Sequence, residues 1–115
     1  MTEFLMIFRE TDLHYKGMPK EKYDAWMQDW EQWIGGIAAQ GRLASGGRLA
    51  PEGKVLKPGG LVTDGPFAEV KEMLGGYLLV KADTLDEAVT MSHGCPVLQT
   101  GGSVEIRPQL PPMNR

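Results

Sequence analysis

The chain has 115 residues, enough for one domain with a modest core, and its 42% hydrophobic and 23% charged residues are ordinary for a soluble globular protein. A formal net charge of -3 argues against a nucleic-acid or anionic-membrane surface, which needs clustered Lys and Arg. The single cysteine, Cys95, excludes an internal disulfide, and no apolar run approaches the length of a membrane span. From the length we expect one domain, residues 1–115. Because no signal-peptide pattern begins the sequence, we expect the protein to be in the cytoplasm.

The first predicted elements are a strand and a long helix. Residues 3–9 alternate so that both faces of the strand are apolar, which is typical of a central strand covered on both sides. Pro19 suits the first turn of a helix that runs to about Gln40, and Gly41 ends it. All three tryptophans lie on one apolar face of this helix, at spacings of three and four. This tryptophan stripe is therefore predicted to pack in the core or at a subunit interface.

The middle of the chain predicts a second strand and a hairpin. Residues 43–50 read as a strand, with a bulge or a close backbone approach at Gly46-Gly47. Residues 54–56 and 61–63 read as the two arms of a hairpin, joined by a loop rich in glycine. An acidic glycine-proline corner follows, and residues 69–74 are expected to form a loop or one helical turn.

The last third predicts a strand, a helix and an edge strand. Residues 77–82 are apolar on both faces, as in the first strand. Asp83-Thr84 offers N-cap side chains for a helix that ends at His93-Gly94, where Gly94 is a natural C′ residue. Residues 97–102 are expected to be loop. Residues 103–107 have one apolar face, which indicates an edge strand.

The order of these elements predicts the fold. Strand, helix, strand, inserted hairpin, strand, helix, strand is the ferredoxin-like βαββαβ plan, an α+β fold, with an inserted β-hairpin. Helices can cover only one face of its sheet, yet the first and third main strands, which the plan places in the centre, are apolar on both faces. We therefore predict a homodimer in which a second copy covers the other sheet face.

Several short motifs occur along the chain in a characteristic order and at characteristic spacings. They are Thr63-Asp64-Gly65-Pro66-Phe67-Ala68-Glu69, Lys71-Glu72, Gly75-Gly76-Tyr77, Leu85-Asp86-Glu87-Ala88, Gly94-Cys95-Pro96 and Gly101-Gly102-Ser103-Val104-Glu105-Ile106-Arg107-Pro108. With them the chain resembles the DGPF-motif branch of the YCII-related family, from Phe4 to Pro108. The resemblance implies a bacterial, cytoplasmic protein built as a dimeric α+β barrel of ferredoxin-like subunits. Some proteins of that branch are linked to alternative sigma factors.

The resemblance also bears on chemistry. YCII-type relatives have a His/Asp pair in a cleft, with the histidine near the start of the first helix, and have been suspected of being enzymes. This chain has no histidine at that helix start, and His14 lies upstream of it. The family pattern therefore does not by itself assign His14 the role of the relatives' histidine.

The acidic corner holds the candidate site. Asp64 can act as a general acid or base, or can orient a ligand; alternatively its side chain accepts backbone N–H bonds across the turn. His14 can pair with Asp64 or can be a solvated loop residue. The candidate catalytic residues are Asp64 and His14, and the predicted ligand-binding residues are Gly65, Pro66, Phe67, Tyr77 and Arg48.

Other kinds of site are not indicated. The two histidines and the one cysteine lie too far apart in the sequence for a metal-ligand motif, and no glycine-rich phosphate loop or other cofactor motif occurs. Cys95 follows the C-terminal end of a predicted helix, which disfavours a thiolate, so we expect it to pack rather than to react.

Three functions follow from these observations. The first is binding, with or without turnover, of a small polar metabolite in a cleft near the acidic corner, without a cofactor; turnover would then be acid–base chemistry. The second is a regulatory or sensory module that acts through a protein partner, and the third is a purely structural dimer domain. A pocket with convergent polar groups would favour the first function, and an exposed apolar patch outside the dimer interface would favour the second.

Overall fold

The computed structural model describes residues 1–11, 18–50, 52–65 and 72–112. Its elements in chain order are β1 (Thr2–Thr11), α1 (Lys20–Ala39), β2 (Leu43–Arg48), β3 (Gly53–Lys57), β4 (Leu61–Gly65), β5 (Glu72–Ala82), α2 (Leu85–Ser92), a 3-10 helix (Pro96–Thr100) and β6 (Ser103–Pro108). The protein is therefore mixed α+β, with an antiparallel sheet and two α-helices, as its sequence pattern predicts. No helix within the described ranges is long and apolar enough to span a membrane.

Four strands form the main sheet, in the order β2-β5-β1-β6, and all neighbours are antiparallel. The two strands that are apolar on both faces, β1 and β5, lie in the centre, and the one-sided β6 lies at an edge, as predicted. This order is consistent with the ferredoxin-like plan.

Strand β5 begins five residues earlier than the sequence pattern predicts. The expectation of a loop or helical turn is wrong for residues 72–74, because these residues pair with residues 9–11 of β1. The pairing skips Gly75, since Phe8 lies opposite Gly76 while Arg9 lies opposite Leu74. This bulge interrupts the alternation along β5 and hides the start of the strand from a period-two reading.

The core lies between the helices and one face of the sheet. Its buried members are Phe4, Met6, Phe8, Trp26, Trp30, Ile37, Leu78, Val80, Ala82, Ala88, Cys95 and Val97. Burying a large apolar side chain contributes roughly 1.5–3 kcal/mol, so each large member of this layer stabilises the fold appreciably. Of the two positions predicted for the tryptophan stripe, core or subunit interface, the structure shows the core: Trp26 and Trp30 are buried there, and the half-buried Trp33 packs against it. Alternate residues of the central strands, such as Leu5, Ile7 and Leu79, point to the opposite face, where they are half-buried.

The capping residues predicted from the sequence account for most of the observed ends of α1 and α2. Gly41 has a φ of 73° and terminates α1, where the Arg42 N–H donates to the Ile37 carbonyl at 3.2 Å. Thr84 caps α2 by accepting from the Glu87 N–H at 3.1 Å. Gly94 directly follows the C-cap residue His93 and so occupies the predicted C′ position, but it is not among the glycines with the positive φ that is usual there. A Cβ at Gly94 would lie 3.1 Å from the Trp33 Cδ1, and packing of that ring explains the glycine.

The structure differs from the sequence prediction at residues 97–100 and in the position of the bulge in β2. Residues 97–100 belong to the 3-10 helix rather than to an irregular loop. The register shift of β2 falls between Leu43 and Ser45, before the Gly46-Gly47 pair. The expected close approach is present, because a Cβ at Gly46 would contact the Leu78 side chain and lie 3.0 Å from the Tyr77 carbonyl oxygen.

Strands β3 and β4 form a separate two-stranded hairpin. They pack mainly against each other, with Leu56 opposite Val62. Leu56 is 72% exposed, Leu61 58% and Val62 55%, so the hairpin presents apolar side chains to solvent. The radius of gyration, 15.9 Å, exceeds the roughly 13 Å expected for a compact chain of this length, which fits a hairpin that extends from the main body.

Candidate functional site

A cleft of about 510 Å³ lies between α1 and the β2–β5 side of the sheet. Helix α1 contributes Trp26, Met27, Trp30 and Ile34 to its wall, and the sheet contributes Phe8. These side chains are apolar and buried or half-buried. The volume falls in the range of roughly 300–1,000 Å³ that is usual for small-molecule pockets.

The aromatic rings of this wall pack edge to face with one another and with Trp33, which does not line the cleft. The ring of Trp30 lies 5.0 Å from that of Phe8, 5.9 Å from that of Trp26 and 5.8 Å from that of Trp33, with interplanar angles of 73°, 87° and 75°. Edge-to-face pairs contribute about 0.5–1.5 kcal/mol each beyond their buried area. The wall is therefore a packed aromatic surface.

The three indole nitrogens differ in their partners. Trp26 Nε1 donates to the Pro96 carbonyl at 3.1 Å, and Trp33 Nε1 donates to the Met91 carbonyl at 3.0 Å. Trp30 Nε1 is buried and has no hydrogen-bond acceptor among the described residues. A buried donor without an acceptor costs about 1–3 kcal/mol. The cleft wall thus contains one indole whose hydrogen bond the described fold does not satisfy.

A smaller cavity, of about 310 Å³, adjoins the cleft, and the end of the cleft where the two meet is called its polar end below. Both cavities are lined by Glu10, Trp26, Arg48 and Gly75. A side-chain carboxylate and a guanidinium therefore converge where the two spaces meet.

Strand geometry explains how these charges reach the cleft. Glu10 follows Phe8 by two residues on β1 and so lies on the helix-facing side of the sheet. Its carboxylate rests against Gly75, where any Cβ would collide with it. Arg48 ends β2, and its Nη2 donates to the Tyr23 hydroxyl at 3.4 Å. The glycine at the bulge leaves the space that the Glu10 side chain occupies.

Two of the site residues predicted from the sequence, Arg48 and Tyr77, line the larger cavity. Tyr77 alternates with the buried Leu78, so its ring lies on the open side of the sheet, where a Cβ at Gly47 would be 3.4 Å from it. Arg48 is on the helix-facing side, opposite Gly76. The structure therefore places both residues on the β2–β5 side of the sheet, with Arg48 on the helix-facing side and Tyr77 on the open face.

The remaining candidates are only partly described. Asp64 and Gly65 belong to β4, where Asp64 lies opposite Lys54 and Gly65 opposite Gly53. The side chain of Asp64 lies outside the description, and so do His14, Pro66 and Phe67. The predicted pairing of Asp64 with His14 stays a prediction.

Sequence reasoning missed Glu10, Tyr23 and the cleft side of the tryptophan stripe. The signal for Glu10 was available, since a carboxylate two residues after Phe8 continues an otherwise apolar strand face. Trp26 and Trp30 were assigned to the core, and they both pack there and line the cleft. No pattern in the sequence around Tyr23 indicates that it belongs to the site, because its role depends on its contact with Arg48 at the end of β2.

Cys95 packs in the core, as predicted, and is 2% exposed. The pKa of its thiol is raised to about 12, chiefly by burial; a backbone hydrogen bond with Val97 acts to lower the pKa, and the nearby Glu10 charge acts to raise it. A thiol with this pKa is protonated at neutral pH and is not a nucleophile. Among the residues with described positions, no group of three or more His, Cys, Asp or Glu is placed to hold a metal ion.

Comparison with known proteins places the chain in one family. The sequence matches the model of the YCII-related domain over residues 2–111. A relative from Rhizobium meliloti (strain 1021), Uncharacterized protein R00369, is 43% identical over 49 residues. That segment covers 42% of this chain and 40% of the relative, so it spans less than half of the relative's length.

Proposed function

The chain belongs to the YCII-related family, and we propose that it binds a small molecule in the cleft between α1 and the sheet. One observation carries the proposal: an apolar cleft of about 510 Å³ has a carboxylate and a guanidinium at one end. Apolar walls with a few convergent polar groups are the usual composition of small-molecule sites. The walls bury the ligand's apolar body, while Glu10 and Arg48 orient its polar groups.

The finer assignments belong to this proposal. Membership of the DGPF-motif branch, and a catalytic role for Asp64, are supported by the sequence motif and its order along the chain. A catalytic role for His14 requires that its side chain pairs with Asp64. If the bound molecule is turned over, the groups at hand are acids and bases. Glu10 would accept or return a proton at the polar end, and Arg48 would stabilise a developing negative charge.

A thermal-shift screen of a polar-metabolite and aromatic-acid library tests the proposal. Ala44 lines the cleft and is exposed, so Ala44→Phe fills the cleft with little damage to the core; the exposed Ala39, at the end of α1, gives the matched control Ala39→Phe. A ligand at a hundred times its Kd adds about 2.7 kcal/mol to the free energy of unfolding. We expect hits to stabilise wild type and Ala39→Phe but not Ala44→Phe. Absence of hits, or equal stabilisation of all three, would contradict the proposal.

The same screen decides the role of Asp64. If a hit is lost in Asp64→Asn and the melting temperature without ligand is unchanged, the acidic corner contacts the ligand. If hits are retained and the variant is only less stable, Asp64 is a turn residue whose carboxylate accepts backbone N–H bonds.

A second candidate function is a regulatory module that acts through a protein partner. The observation that favours it is the hairpin formed by β3 and β4, whose Leu56, Leu61 and Val62 are exposed. Exposed apolar clusters of this kind often mark interaction surfaces. The double variant Leu56→Ser with Val62→Ser is expected to abolish partner capture and to leave small-molecule binding intact; capture that survives the double variant excludes this surface.

We also propose that the chain forms a homodimer through the open face of the sheet. The support is the placement of Leu5, Ile7 and Leu79 on the face opposite α1 and α2, where no described element packs over them. A second copy, related by two-fold symmetry, would cover these side chains on both subunits at once. A dimer domain without any ligand is the remaining alternative, and the screen distinguishes it.

A further inference from the structure

Resting on the proposed homodimer, we propose that the β3–β4 hairpin is a dimerisation arm. The face of the hairpin that carries Leu56 and Val62 packs against the second copy of the chain, beside the sheet-face interface. The observation behind this proposal is a paired, folded hairpin with an apolar face that its own chain leaves exposed.

The two faces of the hairpin differ in burial. Leu56 lies directly opposite Val62, so both side chains point to the same face, where they are 72% and 55% exposed. Val55 lies opposite Thr63 on the other face, where both residues are half-buried and the Thr63 hydroxyl oxygen is buried. The chain therefore covers one face of its hairpin in part and leaves the apolar pair on the other face open.

A hairpin of this size gains from a permanent cover. Strands β3 and β4 pair with each other and with no third strand among the described residues. A two-stranded hairpin is at best marginally stable in water unless it packs against another element. The surface that covers Leu56 and Val62 is therefore expected to be present whenever the chain is folded. A second subunit of a homodimer meets this condition, whereas a transient partner does not.

The place of the hairpin in the chain also indicates the second copy. The hairpin is inserted between β2, which ends at Arg48, and β5, which begins at Glu72, and both are strands of the main sheet. The open face of that sheet is the surface proposed to meet the second copy. The dimerisation arm thus starts from strands that form the interface, and two-fold symmetry brings both arms to their partner subunits in one assembly.

The accessible surface of the chain is large enough for both contacts. A folded monomeric protein of 12.7 kDa exposes roughly 6,200 Å², whereas this chain exposes 8009 Å². The excess, about 1,800 Å², is about twice the roughly 800 Å² that a standard interface buries on each partner. A subunit interface that includes the open sheet face and the dimerisation arm is consistent with this excess.

A photo-cross-link tests the contact directly. Cys95 is buried, so a benzophenone maleimide attaches selectively to a cysteine introduced by Leu56→Cys. The matched control is Leu98→Cys, in the exposed part of the 3-10 helix. Irradiation of the purified protein at micromolar concentration is expected to give a product with the mass of two chains from Leu56→Cys, and single chains from Leu98→Cys. Adding Ile7→Lys to Leu56→Cys should abolish the product, because the arm reaches the partner only in the sheet-face dimer.

Sedimentation equilibrium measures what the dimerisation arm contributes to association. We expect Leu56→Ser with Val62→Ser to raise the dissociation constant of the dimer at least about tenfold, because two apolar side chains no longer pack on the partner subunit. The matched control is Leu85→Ser with Val89→Ser, which changes an exposed leucine and an exposed valine of α2. Its dissociation constant should stay within about twofold of the wild-type value.

The outcomes separate the dimerisation arm from the proposals on which it rests. If Ile7→Lys splits the wild-type dimer but Leu56→Cys gives no two-chain product, the arm is wrong and the sheet-face dimer survives. An unchanged dissociation constant in Leu56→Ser with Val62→Ser would also overturn the arm. If the purified protein gives no two-chain product and the hairpin captures a different protein, the second candidate function takes the place of the arm. A wild type that sediments as a single chain would refute both the arm and the homodimer, and the ligand screen of the cleft would be unaffected.

Discussion

Two tryptophans of α1 are buried to nearly the same extent and differ in one hydrogen bond. Trp26 is 7% exposed and donates to the Pro96 carbonyl, whereas Trp30 is 8% exposed and has no acceptor among the described residues. The same substitution at both positions removes similar volume. The comparison therefore isolates the hydrogen bond from the packing loss.

We predict that Trp26→Phe lowers the free energy of unfolding by about 1–2 kcal/mol more than Trp30→Phe, because only Trp26→Phe strands a buried carbonyl without its donor. Urea denaturation of both variants measures the difference. Equal losses would mean that the Trp26 bond contributes nothing beyond packing.

The thiol of Cys95 gives a prediction about pH. Burial raises its pKa from 9.0 to about 12, so the folded chain keeps the proton while the unfolded chain loses it above pH 9. The native state therefore binds more protons in this window, and stability falls as pH rises from 9 toward 12. We expect this fall to be smaller in Cys95→Ala. Urea denaturation across this pH range measures both proteins, and parallel curves would contradict the assignment.

Reactivity of the same thiol is a simpler measurement. At about pH 8 iodoacetamide should label the native protein far more slowly than the urea-unfolded protein, since both burial and protonation protect the sulfur. Comparable rates would show that Cys95 is accessible in the folded state.

At the scale of the element, α1 is weakened by two glycines near its C-terminus. Gly35 and Gly36 are exposed, and a Cβ at either position would meet no described atom within 4 Å. Glycine inside a helix costs about 0.5–1 kcal/mol relative to alanine. Within the described part of the chain, no close packing contact therefore requires a glycine at either position.

We predict that Gly36→Ala raises the free energy of unfolding by about 0.5–1 kcal/mol. The control is Gly41→Ala, which should lower it by about 1 kcal/mol, because the φ of 73° at that position disfavours any residue with a Cβ. Thermal unfolding of both variants checks the pair, and a destabilising Gly36→Ala would reveal a neighbour that covers this part of the helix.

Most elements could be predicted from local patterns, and the exceptions have a common cause. The ends of α1 are marked by Pro19 and Gly41, and the period of its tryptophans identifies its buried face. The start of β5 was missed because Gly75 bulges out of the ladder and residues 72–74 find their partners far away, on β1. Pairing between distant strands leaves no trace in the local alternation.

The candidate site was harder to predict for the same reason. The acidic corner around Asp64 stands out in the sequence because its residues are adjacent. The polar end of the cleft joins Glu10, Arg48 and Tyr23 from three separate elements. Their convergence depends on the order of the strands and on the bulge at Gly75, which only the folded chain supplies. Arg48 could be identified as a candidate from its charge. Its partner, the hydroxyl of Tyr23, could not be identified from the sequence.

At the scale of the whole molecule, the proposed dimer has a direct test. Ile7 lies on the open face of the central strand β1, opposite Tyr77 of β5. We expect sedimentation equilibrium of the wild type at micromolar concentration to give twice the mass of one chain, and Ile7→Lys to give a monomer, because a buried unpaired charge is costly.

The matched control for Ile7→Lys is Leu98→Lys, in the exposed part of the 3-10 helix, which should remain a dimer. A wild type that sediments as a single chain would exclude the sheet-face dimer.

The measurement that tests the central claim most directly is an NMR titration that follows the three indole N–H signals, assigned with Trp→Phe variants. Trp26 and Trp30 line the cleft and Trp33 does not. A molecule bound between α1 and the sheet is therefore expected to shift the signals of Trp26 and Trp30 more than that of Trp33. If stabilising ligands leave the signals of Trp26 and Trp30 unmoved, the cleft is not the binding site.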